Sequence, residues 1–116
     1  MERRRAIDWL LVIAWMAVVF AFSSVPSLGT DLGTWDLVLR KLAHTAEYAV
    51  LAILLLRASG RPSLAIALAT LYAVSDELHQ TFVDGRHGSP VDVLIDAAGA
   101  TVGVAAWQLA PWRRLR

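Results

Sequence analysis

Two histidines, several carboxylates, a lysine, two arginines and a tyrosine occur at helical spacings within otherwise apolar sequence. Imidazoles exchange protons near neutral pH, and a neighbouring carboxylate orients the ring. His44 and His79 are therefore candidate catalytic acid/base groups, with Glu47 and Asp76 as the carboxylates that would orient them. Arg40, Lys41 and Arg86 carry the charge to hold an anionic head group. Tyr48, Glu77, Gln80, Asp92 and Asp96 complete the candidate substrate-binding set. This inventory suits acid/base chemistry on a phosphate-bearing lipid or isoprenoid carrier. A phosphohistidine route would use His44 or His79 as nucleophile. The chain has no cysteine, so thiolate catalysis, disulfides and cysteine metal sites are excluded. No serine-triad spacing is recognisable.

A metal site is the alternative use of the same residues. His44 and Glu47 stand at i and i+3, as do Asp76 and His79, and such pairs on facing helices build carboxylate/histidine metal sites in bundles. Intramembrane pairs of this kind more often only hydrogen-bond, and no metal or cofactor is expected.

These residues must be positioned by helices, and the composition says where those helices lie. The 116 residues are 57% hydrophobic, and the mean hydropathy is +0.53. A soluble domain is about 45–50% apolar, and so short a chain buries a large core poorly. A bilayer removes the difficulty by serving as solvent. Four apolar segments, about 7–24, 35–56, 63–83 and 91–110, are each close to the ~20 residues that cross a bilayer core. Short polar linkers separate them and make neighbours antiparallel. The expectation is one all-α domain over residues 1–116, a four-helix transmembrane bundle. A rival reading takes the first segment as a signal peptide behind Arg3–Arg5, but the stretch is long and carries Trp15, Phe20 and Phe22.

Arginine orients the bundle. Arg3, Arg4 and Arg5 precede the first segment, Arg57 and Arg61 lie between the second and third, and Arg113, Arg114 and Arg116 follow the fourth. The first linker has no Lys or Arg and the third only Arg86. The positive-inside rule places both termini of this multi-pass chain in the cytoplasm and the first and third linkers outside.

The polar residues then gather at the outer end. On the second segment Arg40, Lys41, His44, Glu47 and Tyr48 fall within an arc of about 120°. Tyr72, Asp76, His79 and Val83 form one stripe on the third, with Ser75 and Gln80 flanking and Glu77 pointing away. Asp92 and Asp96 lead a stripe continued by Gly99 and Gly103 on the fourth, and Ser23 and Ser24 end the first. Ionisable groups inside spans usually face the bundle interior and mark functional sites. The structural alternatives are polar ties between helices, an Asp92 cap after Ser89-Pro90, and close helix contact at Gly99 and Gly103. An ion or proton path is disfavoured, because nothing polar is expected inward of Tyr48 or Tyr72 before the cytoplasmic loop. No basic stripe runs along any helix, so nucleic acid is not an expected partner.

The stretch Lys41, His44, Tyr48 resembles the K-x-x-H-x-x-x-Y helix of the VanZ-like family. Asp76-Glu77-Leu78-His79-Gln80-Thr81-Phe82 resembles its D-E-x-H-Q-x-F helix. Gly85-Arg86 followed by Asp92 is similar to its G-R turn, and Ser23-Ser24 with Pro26 to its first-helix ending. Family members commonly carry Asn where this chain has Asp96, which adds a potential negative charge here. The resemblance implies a four-helix bacterial membrane protein, from a family named for a member linked to teicoplanin resistance. It implies no reaction. The expected partners are membrane lipids, with an isoprenoid-phosphate or peptidoglycan-precursor head group at the outer site. Binding or shielding of that head group and catalysis on it both remain open, as does the oligomeric state.

Overall fold

The computed structural model describes residues 2–23, 34–80, 82 and 90–109. Among these there are four helices and no strand: α1 (Glu2–Ser23), α2 (Thr34–Ser59), α3 (Pro62–Gln80) and α4 (Pro90–Leu109). The helices overrun the apolar segments where flanking residues are good helix formers. α1 takes in the charged residues before Ile7, and α2 continues through Arg57 to Ser59, because hydrogen-bonded turns do not stop where hydrophobicity does. At the other boundary α3 ends at Gln80, short of Val83, and Phe82 N–H donates to the His79 carbonyl at 3.0 Å.

The α2–α3 corner shows why a chain of this sequence turns there. Gly60 adopts φ of 72°, a left-handed conformation glycine enters without the steric cost a Cβ brings. Its N–H donates to the Leu56 carbonyl at 2.7 Å and closes α2. Pro62 then opens α3 at a position whose N–H would find no intrahelical partner, and Ala65 N–H reaches back to the Arg61 carbonyl at 2.9 Å.

α2 is the centre of the bundle. It packs against all three other helices, α3 packs on α4 and lightly on α1, and α1 makes no packing contact with α4 among the described residues. The core is built from helical stripes: Val12 and Val19 on α1, Tyr48, Leu51, Ala52 and Leu55 on α2, Ala65, Ala69 and Ala73 on α3, and Ala100 and Val104 on α4. Small residues dominate α3 and α4, so backbones approach closely. A Cβ on Gly99 would lie 2.8 Å from Thr45 Cγ2, and one on Gly103 only 2.7 Å from the Ala49 carbonyl oxygen. Glycine at both positions is what lets α4 press on α2.

The exterior reverses the usual distribution. Leu10, Leu42, Leu71 and Leu94, one from each helix, are 63–70% exposed, while Asp8, Asp76 and Asp96 are buried. Thr45, Thr70, Ser75 and Thr101 turn their hydroxyls back to carbonyls of their own helices at 2.8 Å. Lys41–Ser59 is by length and composition apolar enough to cross a membrane, and Ala6–Phe22 is a shorter apolar stretch.

Candidate functional site

Each stripe of small or apolar core residues ends in a polar group, and three of those groups meet. Asp76 extends the Ala65, Ala69, Ala73 stripe of α3 by three residues, and Asp96 precedes Gly99 on the face of α4 pressed against α2. His44 lies one turn before Tyr48 on the core face of α2. Its Nε2 is 2.8 Å from Asp76 Oδ2 and its Nδ1 is 3.0 Å from Asp96 Oδ1. Tyr48, fully buried, donates its hydroxyl proton to the same Asp76 oxygen at 3.2 Å. The carboxylates are enclosed, at 1% and 4% side-chain exposure, whereas the imidazole keeps 17%.

Proton counting limits what this trio can do. An imidazole nitrogen and a carboxylate oxygen at hydrogen-bonding distance need a proton between them. Two such contacts require two protons. Either both sit on the ring, or one sits on the ring and one on a carboxyl. With those two protons and no third, His44, Asp76 and Asp96 together carry one net negative charge. Both ring nitrogens are occupied, so His44 offers no lone pair for attack on phosphorus or for a metal. The phosphohistidine route through His44 does not fit this geometry. Among the described residues no group of three or more His, Asp or Glu could hold a metal ion.

One turn towards the helix ends lies a second α2–α4 bridge, Lys41 Nζ to Asp92 Oδ1 at 3.3 Å. It is more open, with side chains 46% and 22% exposed. His44, Asp76, Asp96, Tyr48, Lys41 and Asp92 are thus brought together as two linked layers at one end of the bundle.

Other sequence candidates sit elsewhere. His79 stacks on Phe20 of α1, with centroids 4.4 Å apart and planes at 25°. Glu47 and Asp76 were the expected orienting carboxylates; Asp76 bonds one nitrogen of His44 and Asp96 the other. The backbone carbonyl of Glu47 accepts from Trp15 Nε1 at 2.9 Å. Glu77 is half-buried and makes no hydrogen bond or ion pair among the described residues. Tyr72 lies near Tyr48, ring centroids 6.2 Å apart, but spends its hydroxyl on the Met16 carbonyl at 2.6 Å. Arg86 and Ser24 lie outside the described residues, and so do the side chains of Arg40, Gln80 and Ser23.

One polar group was not anticipated. Asp8 is buried at the opposite end of the bundle, its Oδ1 3.7 Å from Arg57 Nη2. The Arg57 guanidinium stands 5.8 Å from the centre of the Trp107 ring. The end of the bundle away from the trio thus also encloses charge. Asp8 begins the stripe Asp8, Val12, Trp15, Val19, and that i, i+4, i+7, i+11 spacing was the signal available in the sequence.

A small all-helical protein that clothes itself in leucine and encloses an Asp–His–Asp cluster is the class these features define. The VanZ/LLP1 family model matches residues 8–111, and the chain belongs to that family. No curated protein matches the chain. No solved structure matches it.

Proposed function

We propose that this is a multi-pass protein of the bacterial inner membrane, with four spans and both termini in the cytoplasm. At its outer end a polar site binds the phosphate-bearing head group of an anionic envelope lipid or cell-wall precursor. The observation that carries the reading is the reversed surface. In water, leucines exposed on all four helices would cost roughly 1.5–3 kcal/mol each relative to burial, whereas hydrocarbon accepts them. Helices of 19 to 26 residues reach roughly 28–39 Å at 1.5 Å per residue, a match to a ~30 Å hydrocarbon core. Hydroxyls bonded to their own helices suit the same surroundings. The arginines before α1, at the α2–α3 corner and after α4 orient it.

Within the site, Lys41 is the cation accessible to a phosphate among the described residues, and it gives up Asp92 to take it. His44 lies three residues, about 4.5 Å along the helix, further in. Asp76 and Asp96 hold the ring upright and keep it charged or ready to charge. A head group of this kind belongs to the surface on which lipoglycopeptides act, and its occupation is the physical link we propose to glycopeptide susceptibility.

A second reading, acid/base catalysis on a phosphate-bearing lipid or isoprenoid carrier, is favoured by the short His44–carboxylate contacts. His44 would pass a proton to the substrate after releasing one carboxylate, and would not attack it.

Two experiments test these readings. Reporters fused after Arg116 and inserted between Arg57 and Pro62 should read cytoplasm, and one inserted between Asp84 and Pro90 the exterior. A periplasmic C-terminus refutes the orientation. For the site, His44→Gln keeps some hydrogen bonding but loses the titratable proton, and His79→Gln serves as comparison. Phosphate release from isoprenoid and glycerolipid phosphates, and binding of the same lipids, are measured on protein in lipid. Binding without turnover in the parent selects the binder. Turnover lost in His44→Gln with binding retained selects the enzyme. Neither binding nor turnover overturns the head-group site.

A further inference from the structure

We propose that the head group taken at the outer site is zwitterionic, a phosphate joined by a short spacer to a primary ammonium, as in phosphoethanolamine. This rests on the reading of the outer end as a phosphate head-group site and departs from it in one respect: the lipid selected is net neutral, its phosphate balanced by an ammonium.

The first observation is the charge of that end. Segments 23–48 and 72–96, which supply the outer halves of α2, α3 and α4 and the linkers joining them to their neighbours, hold eight of the ten acidic residues. They hold only three of the eleven Lys and Arg: Arg40, Lys41 and Arg86. The whole chain is near neutral, at +1, only because the other end is strongly basic. The enclosed trio, with one proton in each of its two hydrogen bonds, adds one net negative charge. A field of this sign opposes a head group that brings only negative charge, and low-dielectric walls strengthen that opposition.

The second observation is the mouth of the site. Lys41 and Asp92 form a half-open ion pair at 3.3 Å directly outside the trio. A cation and an anion side by side are complementary to a ligand that carries both. The phosphate takes Lys41, the ammonium takes Asp92, and the exchange leaves no charge unpaired. A phosphate alone would take Lys41 and strand Asp92 beside the trio's negative charge. Specificity of this kind comes from the penalty on the wrong partner as much as from attraction to the right one. The ammonium must also donate hydrogen bonds to the Asp92 carboxylate, which a trimethylated amine cannot do.

The test uses the full-length chain purified in detergent and offered equal amounts of phosphatidylethanolamine, phosphatidylglycerol and phosphatidylcholine of matched acyl chains, with retained lipid read by native mass spectrometry. Retention of phosphatidylethanolamine about tenfold above each of the others, equivalent to about 1.4 kcal/mol, is expected. Asp92→Asn should remove the preference, Asp92→Glu should keep it, and Lys41→Gln should weaken phosphatidylethanolamine and phosphatidylglycerol alike. Unchanged helical circular dichroism and elution show that the variants are folded. Soluble phosphoethanolamine that competes as strongly as the lipid supports the same chemistry and assigns it to a water-borne ligand. Phosphatidylglycerol retained as well as phosphatidylethanolamine, or a preference that survives Asp92→Asn, overturns the inference and leaves the head-group site standing. No selective retention of any of the three overturns the inference, and the head-group site is then decided by the isoprenoid-phosphate binding assay above.

Discussion

Replacing Gly103 by alanine is a small change with a calculable effect on a site two turns away. The new Cβ would stand 2.7 Å from the Ala49 carbonyl oxygen and 2.9 Å from Ala49 Cα, where ordinary contact begins at 3.4 Å. Both obstacles are backbone, so no side chain can swing aside, and α4 must retreat from α2 by about 0.7 Å. That retreat would stretch the His44 Nδ1–Asp96 Oδ1 contact from 3.0 Å to about 3.7 Å, beyond the range of a hydrogen bond. If the helices hold their places instead, overpacking costs about 1–3 kcal/mol. If they part, a hydrogen bond between charged groups worth about 1.5–3 kcal/mol is lost. Alanine's helix preference over glycine returns about 1 kcal/mol. The expected net loss reaches about 2 kcal/mol, measured as a shift in reversible SDS-induced unfolding from mild detergent, with Ala106→Val at an exposed α4 position as control. A double-mutant cycle with Asp96→Asn separates the two outcomes. Loss of the hydrogen bond makes the two changes less than additive, since Asp96 has already lost its partner. A Gly103→Ala protein more stable than the parent would refute the close-contact argument. Strict additivity would refute the mechanical link from Gly103 to His44.

Two further outcomes follow from other parts of the fold. Arg57→Gln leaves Asp8 buried without its cation and should lower stability in the same assay by about 1–3 kcal/mol, and adding Asp8→Asn should restore most of it. A loss undiminished in the double variant would place the contribution of Arg57 in Trp107 contact rather than charge. Gly60→Ala meets nothing within 4 Å, so its cost is conformational only, about 1–2 kcal/mol, and Gly60→Asn should cost less. Equal stability of the alanine variant would contradict the left-handed corner.

Much of the architecture was legible from apolar runs, because a segment that must be apolar over about 20 residues announces itself whatever its partners. The meeting of His44, Asp76 and Asp96 was legible too, since facial position and depth follow from helix geometry alone. The choice of partner was not. Glu47, three residues from His44, was the nearest carboxylate in sequence, yet one residue of rotation separates it from Tyr48 on the core face. Which carboxylate reaches His44 is decided by how tightly α4 presses on α2, and that depends on Gly99 and Gly103 meeting Thr45 and Ala49. His79 shares a stripe with Asp76 but is drawn to Phe20 because α1 covers that part of α3. Asp8 escaped notice because a charged residue beside Arg3–Arg5 reads as a flank, whereas α1 begins at Glu2 and already buries its second turn.

The attachment of α1 has a consequence for how this sequence can drift. Two of its ties to the bundle, Trp15 to the carbonyl of Glu47 and the Tyr72 hydroxyl to the carbonyl of Met16, end on main-chain oxygens. A carbonyl is present whichever side chain follows it. Residues 47 and 16 can therefore be exchanged over generations without loss of either bond, so long as the helices stay in phase. An inserted or deleted residue between Trp15 and Met16, or between Glu47 and Tyr72, would carry the acceptors about 100° around their helices. Drift in α1 is thus cheap in letters and costly in length, the opposite of what a surface loop tolerates.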